Sequence, residues 1–126
     1  YSILPHPGDF REAGVIRAAY ALNQQLLTQK VSENVGQLPA EYGLVSCNSE
    51  NVMVETIKKA EADDGIIVRM YEAFDRRTTA KITVAPGFRE VWLCDLMENP
   101  LERLELTDNT VTVPISNFEI ITLKFQ

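Results

Sequence analysis

The sequence predicts a mainly β protein: an antiparallel β-sandwich of about seven strands preceded by one N-terminal α-helix. Three observations carry this. After Tyr42 the apolar residues alternate with polar ones at period two. Turn residues punctuate that alternation at intervals of about 8–12 residues. Only one earlier stretch, ending near Asn23, spaces its apolar residues by three and four. A closed barrel stays open as the alternative arrangement of the same strands.

Along the chain, Tyr1–Leu4 reads as a short extended run stopped by Pro5, and Pro7-Gly8 as a turn. Asp9 is placed to cap the helix, because its carboxylate can accept from a free N–H of the first turn. Glu12, three residues on, occupies the capping-box position. The spacing predicts a helix from Phe10 to about Asn23, with Phe10, Ala13, Gly14, Ile16, Ala19, Tyr20 and Leu22 in its apolar stripe. A glycine inside a helix costs about 1 kcal/mol against alanine; close approach to a sheet would give Gly14 its use. Residues 24–42 are rich in Gln, Ser, Asn, Gly and Pro and read as an irregular surface segment anchored by Leu26 and Leu27. The chain thus divides into a linking part, 1–41, and a sandwich, 42–126.

Within the sandwich, Gly43–Cys47 is a short strand and Val52–Ala60 a longer one. Asp63-Asp64-Gly65 reads as a hairpin turn, since Asp-Gly readily takes positive φ. Ile66–Phe74 follows, with Ile66, Val68 and Met70 alternating with Ile67, Arg69 and Tyr71. Ala80–Ala85 ends at Pro86-Gly87, and Glu90–Leu96 sets Val91 and Leu93 opposite Trp92 and Cys94. Asn99-Pro100 reads as a break and Leu104–Leu106 as a brief strand. Thr110–Ile115 and Glu119–Phe125 close the chain, around a turn at Asp108-Asn109.

Composition excludes several functions. The net charge of −6 argues against a nucleic-acid surface, which needs clustered Lys and Arg. The basic doublets Lys58-Lys59 and Arg76-Arg77 sit beside Glu61 and Asp75 and read as solvated surface. No apolar run approaches the roughly 18 residues of a membrane span. Cys47 and Cys94 have no metal-ligand spacing, and they read as free thiols in a reduced compartment, with one disulfide left open.

The chain offers little catalytic chemistry. One histidine and two separated cysteines do not make a zinc site, and Asp63-Asp64 and Asp108-Asn109 are better read as turns than as calcium loops. Asp95, between Cys94 and Leu96, reads as a strand-end residue rather than half of a carboxylate pair. No nucleophile elbow accompanies His6. An aspartate at the helix start repels phosphate. Trp92 reads as core rather than as a sugar-stacking platform, with Tyr42, Tyr71 and Phe88 as further aromatic candidates. No catalytic residue and no metal ligand is therefore assigned. His6, Asp9 and Arg11 are the candidates for a surface that faces another domain or a cleft.

Several stretches carry a family resemblance. Tyr1-Ser2-Ile3-Leu4-Pro5-His6-Pro7-Gly8-Asp9-Phe10-Arg11-Glu12-Ala13, with the helix ending Ala21-Leu22-Asn23, resembles the C-terminal part of bacterial α-mannosidases of glycoside hydrolase family 38. Asn51–Glu61, Gly65–Glu72, Leu93–Glu98 and Phe118–Leu123 are similar to later strands of that family, in the same order. The resemblance implies a retaining α-mannosidase acting on terminal mannose with an aspartate nucleophile and a divalent cation, usually zinc. It places that chemistry in an N-terminal domain to which no residue here corresponds. This chain is then expected to be a non-catalytic accessory piece of a longer cytoplasmic polypeptide, without a cofactor of its own. Its expected partners are the remainder of that polypeptide and, for the whole enzyme, a mannoside; a homo-oligomer stays open. The alternatives are a carbohydrate-binding module and a protein-interaction sandwich.

Overall fold

The computed structural model describes residues 2–33 and 35–126 and divides into two compact units, Tyr1–Gln37 and Leu38–Gln126. Among the described residues the first unit has one helix, α1 (Val15–Asn23). It begins five residues later than the spacing predicts, and Gly14 is the reason. Gly14 sits at the N-cap with φ 62° and ψ 29°, a left-handed conformation that interrupts a right-handed helix and favours glycine. Residues 10–14 form turns instead, with Ala13 N–H donating to Asp9 O (3.1 Å) and Val15 N–H to Phe10 O (3.0 Å). The close-packing role expected of Gly14 is thus corrected: no atom lies within 4 Å of where its Cβ would stand. Asp9 caps this turn rather than the helix. Ser2–Leu4 form no strand, because the described residues offer their backbone no pairing partner; Tyr1 lies outside the described residues.

The second unit holds eight strands: β1 (Val45–Cys47), β2 (Val52–Lys59), β3 (Ile66–Glu72), β4 (Thr78–Val84), β5 (Val91–Cys94), β6 (Pro100–Leu104), β7 (Thr110–Ile115) and β8 (Ile120–Phe125). They form a three-stranded sheet, β1-β4-β7, and a five-stranded sheet, β2-β3-β8-β5-β6, with every pairing antiparallel. Two separate sheets make the sandwich and dispose of the barrel. The brief strand expected at Leu104–Leu106 is displaced to Pro100–Leu104. β6 is an edge strand, so the N–H that Pro100 lacks need not join a ladder on both sides.

Alternation fixes the core. Val68, Met70, Leu123, Phe125 and Val91 of the five-stranded sheet meet Ala80, Ile82, Val84, Val111, Val113 and Ile115 of the three-stranded sheet in one buried cluster. Each of these side chains but that of Ala80 contributes roughly 1.5–3 kcal/mol by leaving water. Phe88 packs edge-on against Phe125, ring centroids 5.7 Å apart, and so serves the core rather than a sugar platform. The tightest hairpin is at Asp108-Asn109, where both residues take positive φ (49° and 58°) between Thr107 and Thr110. The Asp63-Asp64-Gly65 loop is shaped differently: the Asp63 carboxylate accepts from Gly65 N–H at 2.9 Å.

Candidate functional site

The turn at residues 6–12 gathers the three residues proposed from sequence. Asp9 Oδ1 accepts from the backbone N–H of Arg11 (2.8 Å) and Glu12 (3.0 Å), and its Oδ2 lies 3.6 Å from Arg11 Nε. The hydrogen bonds from Glu12 and Arg11 N–H hold the carboxyl below its ordinary range, helped by the charge of Arg11. The Arg11 guanidinium lies 5.4 Å from the Phe10 ring centroid, and His6 Nδ1 is 3.1 Å from Pro7 O. His6, Asp9 and Arg11 are all exposed. Asp9 spends its acceptors on its own turn, so the group is ordered for presentation and is not arranged as a nucleophile and base.

Across the outer face of the five-stranded sheet the register aligns Arg103, Trp92, Lys124, Ile67 and Lys58 in one row. Trp92 is half-buried there, on the side opposite the core, which corrects its expected core placement. Its Nε1–H points to Glu90 Oε2 at 3.4 Å, and Glu90 Oε1 accepts from Arg103 at 2.9 Å. The next row holds Cys94, Thr122 and Arg69. Arg69 donates to Thr122 Oγ1 (3.2 Å) and to Leu96 O (3.0 Å).

Two loops cover this face. Residues 95–99 leave β5 and reach back to the far edge: Glu98 accepts from Lys58 of β2 at 2.9 Å and from Glu61 N–H at 2.9 Å. Glu61 N–H and then Lys58 hold the Glu98 carboxyl below its ordinary range. Asp95 organises this loop, accepting from Met97 N–H (2.8 Å), Asn99 N–H (2.9 Å) and Asn99 Nδ2 (2.9 Å). From the β2–β3 loop, Asp63 pairs with Lys124. These contacts explain how Thr122 and Lys124 come to be buried on a face expected to be wet.

Glu72 is the polar residue that sequence reading missed. It is 1% exposed. Its carboxylate accepts from Asn51 Nδ2 (2.9 Å), Phe74 N–H (2.7 Å) and Phe118 N–H (3.0 Å). Burial pushes its pKa up; the bonds from Phe118, Asn51 and Phe74 outweigh that and hold it at about 2. The signal was available: Val68, Met70 and Glu72 share one face by alternation, so Glu72 points inward at the core's end. Residues 73–77 and 116–119 are two of the five connections that cross between the sheets, and this carboxylate ties those two together.

None of these groups forms a catalytic centre. Among the described residues no three of His, Cys, Asp and Glu converge as metal ligands. A groove at Arg77–Thr79 and Pro114–Ser116 is lined by hydroxyls, Pro114, Ile115 and one guanidinium, without the carboxylate pair that glycoside hydrolysis uses. Cys47 and Cys94 are both free thiols, lying on different sheets. Among the described residues no helix is long and apolar enough to cross a membrane.

Comparison with known proteins fits this picture. The chain is 34% identical to human alpha-mannosidase 2C1 over 98% of its own length and 12% of the human protein. It is 36% identical to the mouse alpha-mannosidase 2C1 over 98% of this chain and 12% of that protein. With alpha-mannosidase G of Dictyostelium discoideum the identity is 32%, over 99% of this chain and 12% of that protein. The chain therefore spans about an eighth of the length of these relatives. Residues 51–123, from just before β2 into β8, match the profile of the glycosyl hydrolases family 38 C-terminal beta sandwich domain, and the chain belongs to that family.

Proposed function

We propose that this chain serves a retaining α-mannosidase as its non-catalytic C-terminal domain. The observation that carries the proposal is the likeness over 98% of this chain to only 12% of human alpha-mannosidase 2C1, within a family named for its C-terminal sandwich. The nucleophile and the divalent cation, zinc in this reading, belong to the rest of the polypeptide. The buried carboxylate Glu72 and the covered outer face of the five-stranded sheet support a structural role, because their polar groups are used within the domain. The exposed turn of His6, Asp9 and Arg11 supplies a surface toward the remainder of the polypeptide. Two unpaired cysteines support a reducing, cytoplasmic setting. The test is hydrolysis of an aryl α-mannoside. The full-length polypeptide is expected to release the aryl alcohol and residues 1–126 alone to release none; turnover by residues 1–126 would refute the non-catalytic role.

A further inference from the structure

The first unit is built unlike a domain. None of its described residues is buried, while Leu26 and Leu27 are 93% and 99% exposed, and Leu22, Val31 and Val35 are exposed as well. From Gln25 to Gly36 no described residue is in a helix or strand. Single exposed apolar side chains are ordinary on a protein surface. Five of them, at intervals of one to four along one segment of a unit without buried described residues, are not. A unit of under about 40 residues does not stabilise itself by its own burial.

Charge separates the same two parts. Residues 1–37 carry Asp9, Glu12 and Glu33 against Arg11, Arg17 and Lys30, three of each sign, for a net of zero. Residues 38–126 carry nine basic and fifteen acidic residues, so the whole net charge of −6 falls there. A segment without net charge that spaces apolar side chains among polar ones suits contact with another surface; an acidic sandwich suits water. The comparisons divide the chain in a similar place. The family profile begins at residue 51, whereas the likeness to human alpha-mannosidase 2C1 runs over 98% of the chain. Most of the first 50 residues are thus shared with long enzymes while lying outside the sandwich profile.

We infer that the segment bearing Leu22, Leu26, Leu27, Val31 and Val35 is a docking strap, whose apolar side chains seat on the remainder of the same polypeptide. The inference rests on the reading of this chain as part of a longer α-mannosidase, and it names the surface that joins the two. Extended backbone without internal ladder partners can follow an apolar furrow and still place side chains every few residues.

Hydrogen exchange in the full-length polypeptide tests it without requiring a variant to fold. Amides between residues 25 and 33 are expected to exchange at least about tenfold more slowly than an unstructured chain. The double substitution Leu26→Ser and Leu27→Ser is expected to abolish that protection while the amides of Ile67 and Leu123 keep theirs. Unprotected amides in the wild-type polypeptide overturn the strap. Protection that disappears on dilution would assign the surface to a second copy and also overturn it. Aryl α-mannoside hydrolysis, measured on the same sample, separates the two readings. Protection without hydrolysis supports the strap and removes the enzyme assignment; hydrolysis with an unprotected segment does the reverse.

Discussion

The two sheets of the sandwich share one core but treat their outer faces in opposite ways. On the three-stranded sheet, Ser46, Thr79, Lys81, Thr83, Thr112 and Pro114 stand in water, as alternation in a half-buried antiparallel sheet requires. On the five-stranded sheet, Met53, Ile67, Cys94, Thr122 and Lys124 point away from the core and are buried all the same. The difference lies in the connections. The loops at 60–65 and 95–99 lie over the larger sheet, tied down through Lys58, Arg69 and Lys124. The strand pattern of a sheet therefore says which residues share a face, while loops decide whether that face is wet.

Glu72 joins the two sheets, and its removal is expected to have the largest effect on stability. Glu72→Ala leaves the N–H groups of Phe74 and Phe118 without their acceptor and removes one of the two acceptors of Asn51 Nδ2, at a cost of about 3–5 kcal/mol in urea unfolding. The same carboxylate sets a pH dependence. Its pKa falls from 4.5 to about 2 on folding, so its contribution is complete above about pH 5 and is lost as pH falls toward 2. That contribution is about 3 kcal/mol. Glu72→Gln is expected to flatten the acid limb of the stability profile between those values; an unchanged limb would show that the two crossovers are held by other groups.

The contrast between the outer faces is tested by a matched pair. Ile67 is fully buried on the covered face, and Ile67→Ala is expected to cost about 3 kcal/mol through lost burial and a residual cavity. Thr112 is exposed on the open face, and Thr112→Ala is expected to stay within about 0.5 kcal/mol. Equal costs would mean that the covering loops do not exclude water from Ile67.

Much of this was legible in the chain, and the misses share a cause. Alternation found the core faces of Ile66–Met70, Val111–Ile115 and Ile121–Phe125 because each depends on neighbours within one strand. The hydrogen bonds of Asp9 were legible for the same reason, its partners being two and three residues away, although they cap a turn and not the helix. The start of α1 was missed because Gly14 fits the apolar spacing of a helix while its backbone is left-handed. β6 was displaced because Pro100 reads as a breaker unless the strand is known to be an edge. Glu98 gave no local signal: its partner Lys58 is 40 positions back, and only the strand order brings the two together. Burial of Lys124 follows from the same non-local pairing.

The smallest effect concerns Asp95, and it addresses the loop rather than the sheet. Asp95 holds residues 96–99 through Asn99 and Met97, which also keep its carboxyl below the ordinary range. Directly beneath, on the covered face, Cys94 is 5% exposed, and burial pushes its thiol pKa up. A protonated, covered thiol reacts slowly with disulfide reagents. In a Cys47→Ser background, which leaves Cys94 as the only thiol, Asp95→Ala is expected to speed labelling by about tenfold while unfolding is shifted only slightly. Because hydrogen bonding lowers the Asp95 pKa, acidification releases the loop only below the normal carboxylate range, and at neutral pH the wild type stays closed. A labelling rate unchanged by Asp95→Ala would assign the hold to Glu98 and Arg69 instead. The 95–99 loop would then be held by its long-range contacts to Lys58, Glu61 and Arg69, and Lys58→Met would be the substitution that loosens it.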